Sequence, residues 1–122
     1  MILTTLSVVV PPARRQEIIE VFSSLLGPVR AEPGCRSSEL YQQVDDGNVL
    51  RYVEEWETPE QLERHMRSAR YERLLAIMEA SAVRPVLRYD YVTGTRGLDY
   101  LEAVRLGTLA TTPQERGERT GP

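Results

Sequence analysis

The sequence contains no lysine and has only one cysteine and one histidine; all fifteen of its basic residues are arginine. Without lysine the chain cannot form a Schiff base, which excludes pyridoxal phosphate enzymes. A single cysteine, Cys35, excludes a disulfide within the chain and fits a reducing compartment. Cys35 and His65 cannot build a Cys/His zinc site. A carboxylate-only magnesium or calcium site stays open, although no loop has the calcium-binding spacing.

The overall composition is that of one ordinary globular domain. The chain has 122 residues, of which 41% are hydrophobic and 27% are charged. This length allows one sizeable core. The net charge is -3 and no basic block occurs, so we predict no nucleic-acid partner.

The first ten residues are apolar and rich in β-branched types, and two prolines follow them. The segment lacks a basic n-region and is too short to span a bilayer. It therefore reads as a first strand, and we predict a cytoplasmic protein that does not bind membranes.

Turn residues and periodicity divide the rest of the chain into alternating strands and helices. Thr58, Pro59 and Gln61 form a strong helix start, because threonine caps the helix and glutamine completes a capping box. A break near residues 68–69 divides the helical region that follows. The predicted elements are strand 2–10, helix 13–26 with a last turn towards Arg30, strand 37–44, hairpin turn 45–48, strand 49–56, helices from 59 and from 71, strand 83–93 and a short helix 98–106.

The order β-α-β-β-α-β predicts an α+β, ferredoxin-like split βαβ sandwich. Strand 49–56 presents two faces, and neither is cleanly polar, as expected of a sheet that is covered on both sides. Helices would cover one face, and we expect a second copy of the chain to cover the other. We expect a domain over residues 1–94, a short C-terminal helix or clasp over 95–106, and a mobile tail over 107–122.

An ordered set of short motifs resembles the antibiotic biosynthesis monooxygenase family of dimeric α/β barrels, over roughly residues 1–93. The motifs are Glu32-Pro33-Gly34-Cys35, Glu39-Leu40-Tyr41, Trp56-Glu57, Leu62-Glu63 with His65, and Tyr71 with Leu74. The resemblance implies small, often homodimeric oxygenases that use no cofactor and act on polyketide phenols or quinols. The family also includes haem-degrading enzymes, an isomerase, and members without a known reaction.

The haem-degrading branch of this family matches the chain poorly. Those enzymes carry tryptophan where this chain has His65, and an axial histidine where it has Leu75. They also use an asparagine on the first strand, and residues 1–10 contain none. Haem iron needs an axial ligand such as histidine.

Arg70 stands where many relatives have a histidine, which counts against any mechanism that needs two histidines.

The predicted site lies where strand 49–56 meets the helix that follows it. A cofactor-free oxygenase needs an apolar cavity, an aromatic wall and a group that takes or holds a proton. Histidine has an ordinary pKa of about 6.5, so we predict His65 as the catalytic residue. We predict Trp56, Tyr52 and Glu54 as substrate-binding residues, because they share one strand face.

Each of these residues also has a purely structural interpretation. His65 could be hydrogen-bonded beside the core, and Trp56 could anchor a strand end. Burying the Glu54 carboxylate without a partner would cost free energy. Glu54 therefore either pairs with an arginine or lies in a pocket that contains water. The candidate arginines are Arg51, Arg88 and one from a second copy of the chain.

The leading interpretation is therefore an oxidoreductase acting on a small aromatic phenol or quinol. The alternative is a non-enzymatic dimeric binding or stress-response protein of the same fold. A cavity that reaches His65 and carries convergent polar groups would favour the enzyme, whereas an interior filled by side chains would favour the alternative.

Overall fold

The computed structural model of the chain describes residues 1–107. The predicted tail lies outside the described residues from position 108 onward. In chain order the elements are β1 (Ile2–Val9), a 3-10 helix (Pro12–Arg14), α1 (Arg15–Arg30), β2 (Cys35–Gln42), β3 (Val49–Trp56), α2 (Pro59–Met66), α3 (Tyr71–Ala80), β4 (Val86–Tyr91) and α4 (Leu98–Leu106).

The four strands form one antiparallel sheet in the order β2-β3-β1-β4. Together with the helices this is the predicted ferredoxin-like α+β fold, which is confirmed. β4 is an edge strand, as expected from Pro85 directly before it, because proline cannot donate a ladder hydrogen bond. No helix within residues 1–107 has the length and apolar character needed to cross a membrane.

The core lies between one face of the sheet and the helices. On β1 and β3 every second residue is buried, because successive side chains point to opposite faces of a sheet. Helix α1 buries Ile18, Phe22, Leu25 and Val29 against this face. The ring of Phe22 stacks on that of Tyr52 with 5.3 Å between centroids.

Helix α1 continues through Gly27-Pro28 to Arg30, in agreement with the predicted last turn towards Arg30. Proline inside a helix removes a backbone hydrogen bond and usually weakens it. Here the last turn carries Val29, whose side chain is fully buried, and this packing keeps the turn helical. The extension fixes where the chain leaves the helix and therefore where Glu32 lies.

The helix after β3 starts and breaks as predicted. The Thr58 hydroxyl accepts the backbone N–H of Gln61 at 3.3 Å, and Pro59 occupies the first helical position. Helix α2 ends at Met66, and α3 begins at Tyr71. This arrangement places His65 in the last turn of α2, facing the core.

Candidate active site

The imidazole of His65 lies in the protein interior, with 1% of the residue exposed. Its ring stacks on Trp56, with centroids 4.7 Å apart and 30° between the ring planes. Tyr71 meets the same ring edge-on at 5.2 Å. The structure therefore brings together the only tryptophan and the only histidine of the chain, as the order of elements predicted.

Both ring nitrogens of His65 are bonded to carboxylates. Nδ1 lies 3.0 and 3.1 Å from the two oxygens of Glu32, and Nε2 lies 3.0 Å from Oε2 of Glu54. Ionised carboxylates only accept hydrogen bonds, so with both glutamates ionised both nitrogens of His65 donate and the ring is an imidazolium. Burial lowers the pKa of His65, but the hydrogen bond and charge of Glu54, followed by those of Glu32, outweigh burial and leave that pKa raised.

Glu54 is buried on the helix-facing side of β3, where it accepts three hydrogen bonds. Trp56 Nε1 donates to Oε1 at 2.8 Å, Thr4 Oγ1 donates to Oε1 at 3.4 Å, and His65 donates to Oε2. Burial raises the pKa of Glu54, but the hydrogen bond and charge of His65 more than offset it, so the pKa lies below its ordinary value. Glu54 is therefore an ionised, buried carboxylate at neutral pH.

The cation beside Glu54 is His65, and neither arginine suggested from the sequence takes that place. Arg51 is exposed on the opposite face of the sheet, and Arg88 pairs with Asp90 at 3.2 Å. The reason is the period of the strand, because Arg51 lies an odd number of residues from Glu54 and so points the other way.

Glu32 completes the arrangement from the turn between α1 and β2. Its Oε2 accepts a hydrogen bond from Arg70 at 2.9 Å. We call Glu32, Glu54, His65 and Arg70 the ion network; its two negative and two positive charges balance. Glu32 is not among the site residues predicted from the sequence, and its only signal there is its place before Pro33-Gly34 in a family motif.

A cavity borders the ion network on the side of β4. Its lining residues come from all the elements around it: Thr4, Leu6, Tyr52, Glu54, Leu62, Tyr71, Leu74, Met78, Leu87 and Tyr89. The space open to the centre of a water molecule is about 10 Å³, close to the room for one water. Glu54 and Tyr52 line it, whereas His65 and Trp56 lie behind Glu54.

Tyr52 occupies the cavity wall two residues from Glu54. Its hydroxyl shares a hydrogen bond of 2.9 Å with the hydroxyl of Ser38. Burial, and then the negative charge of Glu54, raise the pKa of Tyr52, so the phenol stays protonated at neutral pH. Tyr52 can therefore donate a hydrogen bond but does not act as a base.

The thiol of Cys35 is half-buried and donates to the Ser37 carbonyl at 3.4 Å. Burial, and then the charges of Glu54 and Glu32, raise its pKa to about 11. Since the thiolate is the reactive form, this cysteine is a packing residue at neutral pH.

The arrangement suits proton transfer from a weak acid in an apolar space. Glu54 is an ionised acceptor at the cavity wall, and the imidazolium behind it offers positive charge to an anion that forms there. Among residues 1–107 no group of three or more His, Cys, Asp or Glu side chains is placed to hold a metal ion.

Residues 1–76 match the model of the antibiotic biosynthesis monooxygenase family. The Mycobacterium tuberculosis protein Rv0793, for which a monooxygenase activity has been proposed, is 31% identical over 75 residues, covering 62% of this chain and 73% of that protein.

Solved structures share the fold at lower identity. The structure of Rv0793 superposes with a TM-score of 0.71 at 22% identity, over 79% of this chain and 98% of that one. A Deinococcus radiodurans protein, proposed to be an antibiotic biosynthesis monooxygenase, superposes with a TM-score of 0.73 at 9% identity, over 80% of this chain and 98% of its own.

Proposed function

Because the chain belongs to the antibiotic biosynthesis monooxygenase family, we propose that it is a cofactor-independent monooxygenase acting on a small aromatic phenol or quinol. The observation that carries the proposal is Glu54, an ionised carboxylate at the wall of a largely apolar cavity. We assign the proton transfer to Glu54, with His65 behind it, instead of to His65 itself, because both nitrogens of His65 are already bonded.

The reaction needs only the substrate and dioxygen. Glu54 takes the phenol proton, and the phenolate passes electrons to dioxygen and forms a C–O bond at a ring carbon. The peroxide takes the proton back from Glu54. The O–O bond then breaks, hydroxide leaves together with the proton of that ring carbon as water, and a quinone remains. The substrate supplies all the electrons, and the imidazolium of His65 offsets the phenolate charge.

The lining of the cavity supports a neutral aromatic substrate. Leucine, methionine and tyrosine side chains form most of its wall, while an anionic group would be repelled by Glu54. The cavity has room for about one water, so a ring must displace side chains to enter. Leu87 and Tyr89 of the edge strand are 37% and 38% exposed, and we propose that the ring enters between them. Tyr52 would then hold the ring by a hydrogen bond, with Trp56 supporting Glu54 from behind.

Oxygen uptake with a panel of anthrones, naphthols and hydroquinones tests the proposal. We expect one substrate or more to consume one dioxygen per quinone formed. Glu54→Gln keeps the size of the side chain but removes the base, so uptake should fall by about 10²–10⁴-fold. Glu57→Gln, an exposed change three residues away, serves as the control and should leave uptake unchanged.

Two results would contradict the proposal in different ways. Uptake that survives in Glu54→Gln would remove Glu54 as the base. No uptake by the wild-type protein across the panel would favour the alternative, a dimeric binding or stress-response protein. The small volume of the cavity supports that alternative. Thermal shifts with the same compounds would then show whether any of them binds.

We also propose that the chain forms a homodimer through the open face of its sheet. The helices leave this face uncovered, and it carries half-buried Leu3, Val49 and Val53. It also carries both Arg51 and Glu55, so a two-fold interface can pair opposite charges. A clasp role for α4 stays a prediction; its apolar side chains Leu98, Leu101 and Val104 are exposed.

Analytical ultracentrifugation tests the dimer. The wild-type protein should sediment at twice its 13.9 kDa at micromolar concentration. Val53→Arg places a charge at the centre of the open face and should shift the protein to monomer. The control Val44→Arg makes the same change at a fully exposed hairpin position and should stay dimeric. A monomeric wild type, or a dimeric Val53→Arg, would refute the proposed interface.

A further inference from the structure

We propose that Glu32 is a positioning residue of this site: it holds the imidazole of His65 so that Nε2–H points at Glu54 and its positive charge stays beside the cavity. The catalytic consequence rests on the proposed function, whereas the positioning itself does not. Glu32 borders neither the cavity nor Glu54, so it acts only through His65.

The geometry of the His65 ring shows how Glu32 fixes the orientation of that ring. Glu32 and Glu54 approach the imidazole from different sides, at Nδ1 and at Nε2. Turning the ring by 180° about its bond to Cβ would place carbon atoms against both carboxylates and lose every hydrogen bond. The second acceptor at Nδ1 therefore selects one ring orientation.

The charges around the ring support the same conclusion. The groups that face His65 are Glu54 from β3, Glu32 from the turn after α1, and Tyr71 from α3; Cys35 lies near both carboxylates, and Arg70 touches Glu32. With Glu32 uncharged, the imidazolium of His65 would keep one carboxylate partner, Glu54, instead of two. The imidazolium would then lose its proton more readily, because buried charges need compensation.

Glu32 lies at the edge of the core, so replacing its side chain should leave the core packing intact. Its side chain is 15% exposed, and that of Arg70 is 40% exposed, so the outer end of the network reaches solvent. A glutamine at position 32 keeps the size and can still accept a hydrogen bond. The change therefore tests the negative charge of Glu32, while the packing and an acceptor for Nδ1 are kept.

The only histidine of the chain gives an unambiguous NMR signal. In wild-type protein labelled with ¹⁵N-histidine, we expect both ring nitrogens to be protonated at pH 7. A neutral ring with an unprotonated Nδ1 at pH 7 would overturn the proposal. This measurement needs neither a substrate nor a variant, so it can overturn the proposal even where a variant fails to fold.

The variant Glu32→Gln should lower the NMR-measured pKa of His65 by about one unit or more, the usual effect of losing an opposite charge at this distance. The control Glu39→Gln makes the same change at an exposed carboxylate paired with Arg30, and it should leave the titration of His65 unchanged. An unchanged titration in Glu32→Gln would overturn the proposal.

Oxygen uptake separates this inference from the proposed function. Glu32→Gln should lower kcat by on the order of 10²-fold at pH values above the new pKa of His65, with little change in KM, and the loss should diminish at lower pH. An equal loss at every pH would overturn the positioning role. If the wild-type protein consumes no oxygen but the NMR results hold, the monooxygenase proposal fails and the positioning of His65 by Glu32 stands.

Discussion

Glu54→Ala is expected to lower the free energy of unfolding by about 3–5 kcal/mol at pH 7, as when one member of a buried ion pair is removed. The substitution leaves the imidazolium of His65 with one carboxylate instead of two and removes the acceptor of the Trp56 indole N–H. An unpaired buried donor adds the cost of its own desolvation. Urea unfolding monitored by tryptophan fluorescence measures the change.

The matched control for this measurement is Glu57→Ala. Glu57 is exposed, and its carboxylate lies 4.0 Å from Arg36, a surface pair of little expected value. We expect its unfolding free energy to stay within about 0.5 kcal/mol of wild type. If Glu54→Ala behaved like this control, Glu54 would be neither ionised nor needed inside the protein.

His65→Leu is expected to produce a comparable loss of about 3–5 kcal/mol at pH 7 and to change how stability depends on pH. Leucine keeps an apolar side chain against Trp56 but leaves Glu32 and Glu54 without the cation between them. Burial then raises the pKa of Glu54 instead of allowing it to fall. The stability of the variant should therefore be greatest at low pH and fall as pH rises above about 4.5, by up to about 1.4 kcal/mol per pH unit.

The wild-type protein should behave differently over the same range. The raised pKa of His65 contributes stability that is fully present below its ordinary value of 6.5 and is lost as pH rises through the raised pKa. The lowered pKa of Glu54 contributes stability that is present above its ordinary value of 4.5 and is lost as pH falls through the lowered pKa. The two contributions together are greatest between about pH 4.5 and 6.5.

Urea unfolding at pH 5, 6, 7 and 8 distinguishes the two behaviours. The control Arg64→Leu makes a similar change on the exposed side of the same helix, and its curve should run parallel to wild type. A constant difference between His65→Leu and wild type from pH 5 to 8 would mean that His65 contributes by packing alone.

A buried ion network of this kind is weak evidence that a fold is stable. Its arrangement here is better explained by a functional role. Apolar residues of equal volume often stabilise a fold as well or better. Here the network presents a carboxylate to a cavity and keeps it ionised, which an apolar core could not do. Perturbed ionisable groups beside a cavity are common at functional sites, so the network and the proposed chemistry support each other.

The sequence by itself determined the elements and their order. The period of β3, the cap at Thr58 and the apolar spacing of α4 are local properties, and the structure reproduces β3 over Val49–Trp56 and α4 over Leu98–Leu106. The order of elements then determined the topology, since few arrangements satisfy the connection rules. The closeness of Trp56 and His65 followed, because they lie on consecutive elements.

The tertiary structure alone decided which site residues form hydrogen bonds and ion pairs with each other. Glu32 reaches His65 across 33 positions of the chain, and only because α1 continues through Pro28 before the chain turns at Gly34, whose φ of +85° suits glycine. The identity of the cation beside Glu54 and the small volume of the cavity also depend on how α2 and α3 pack on the sheet. Those placements follow from the packing of many distant side chains at once, which no local pattern in the sequence encodes.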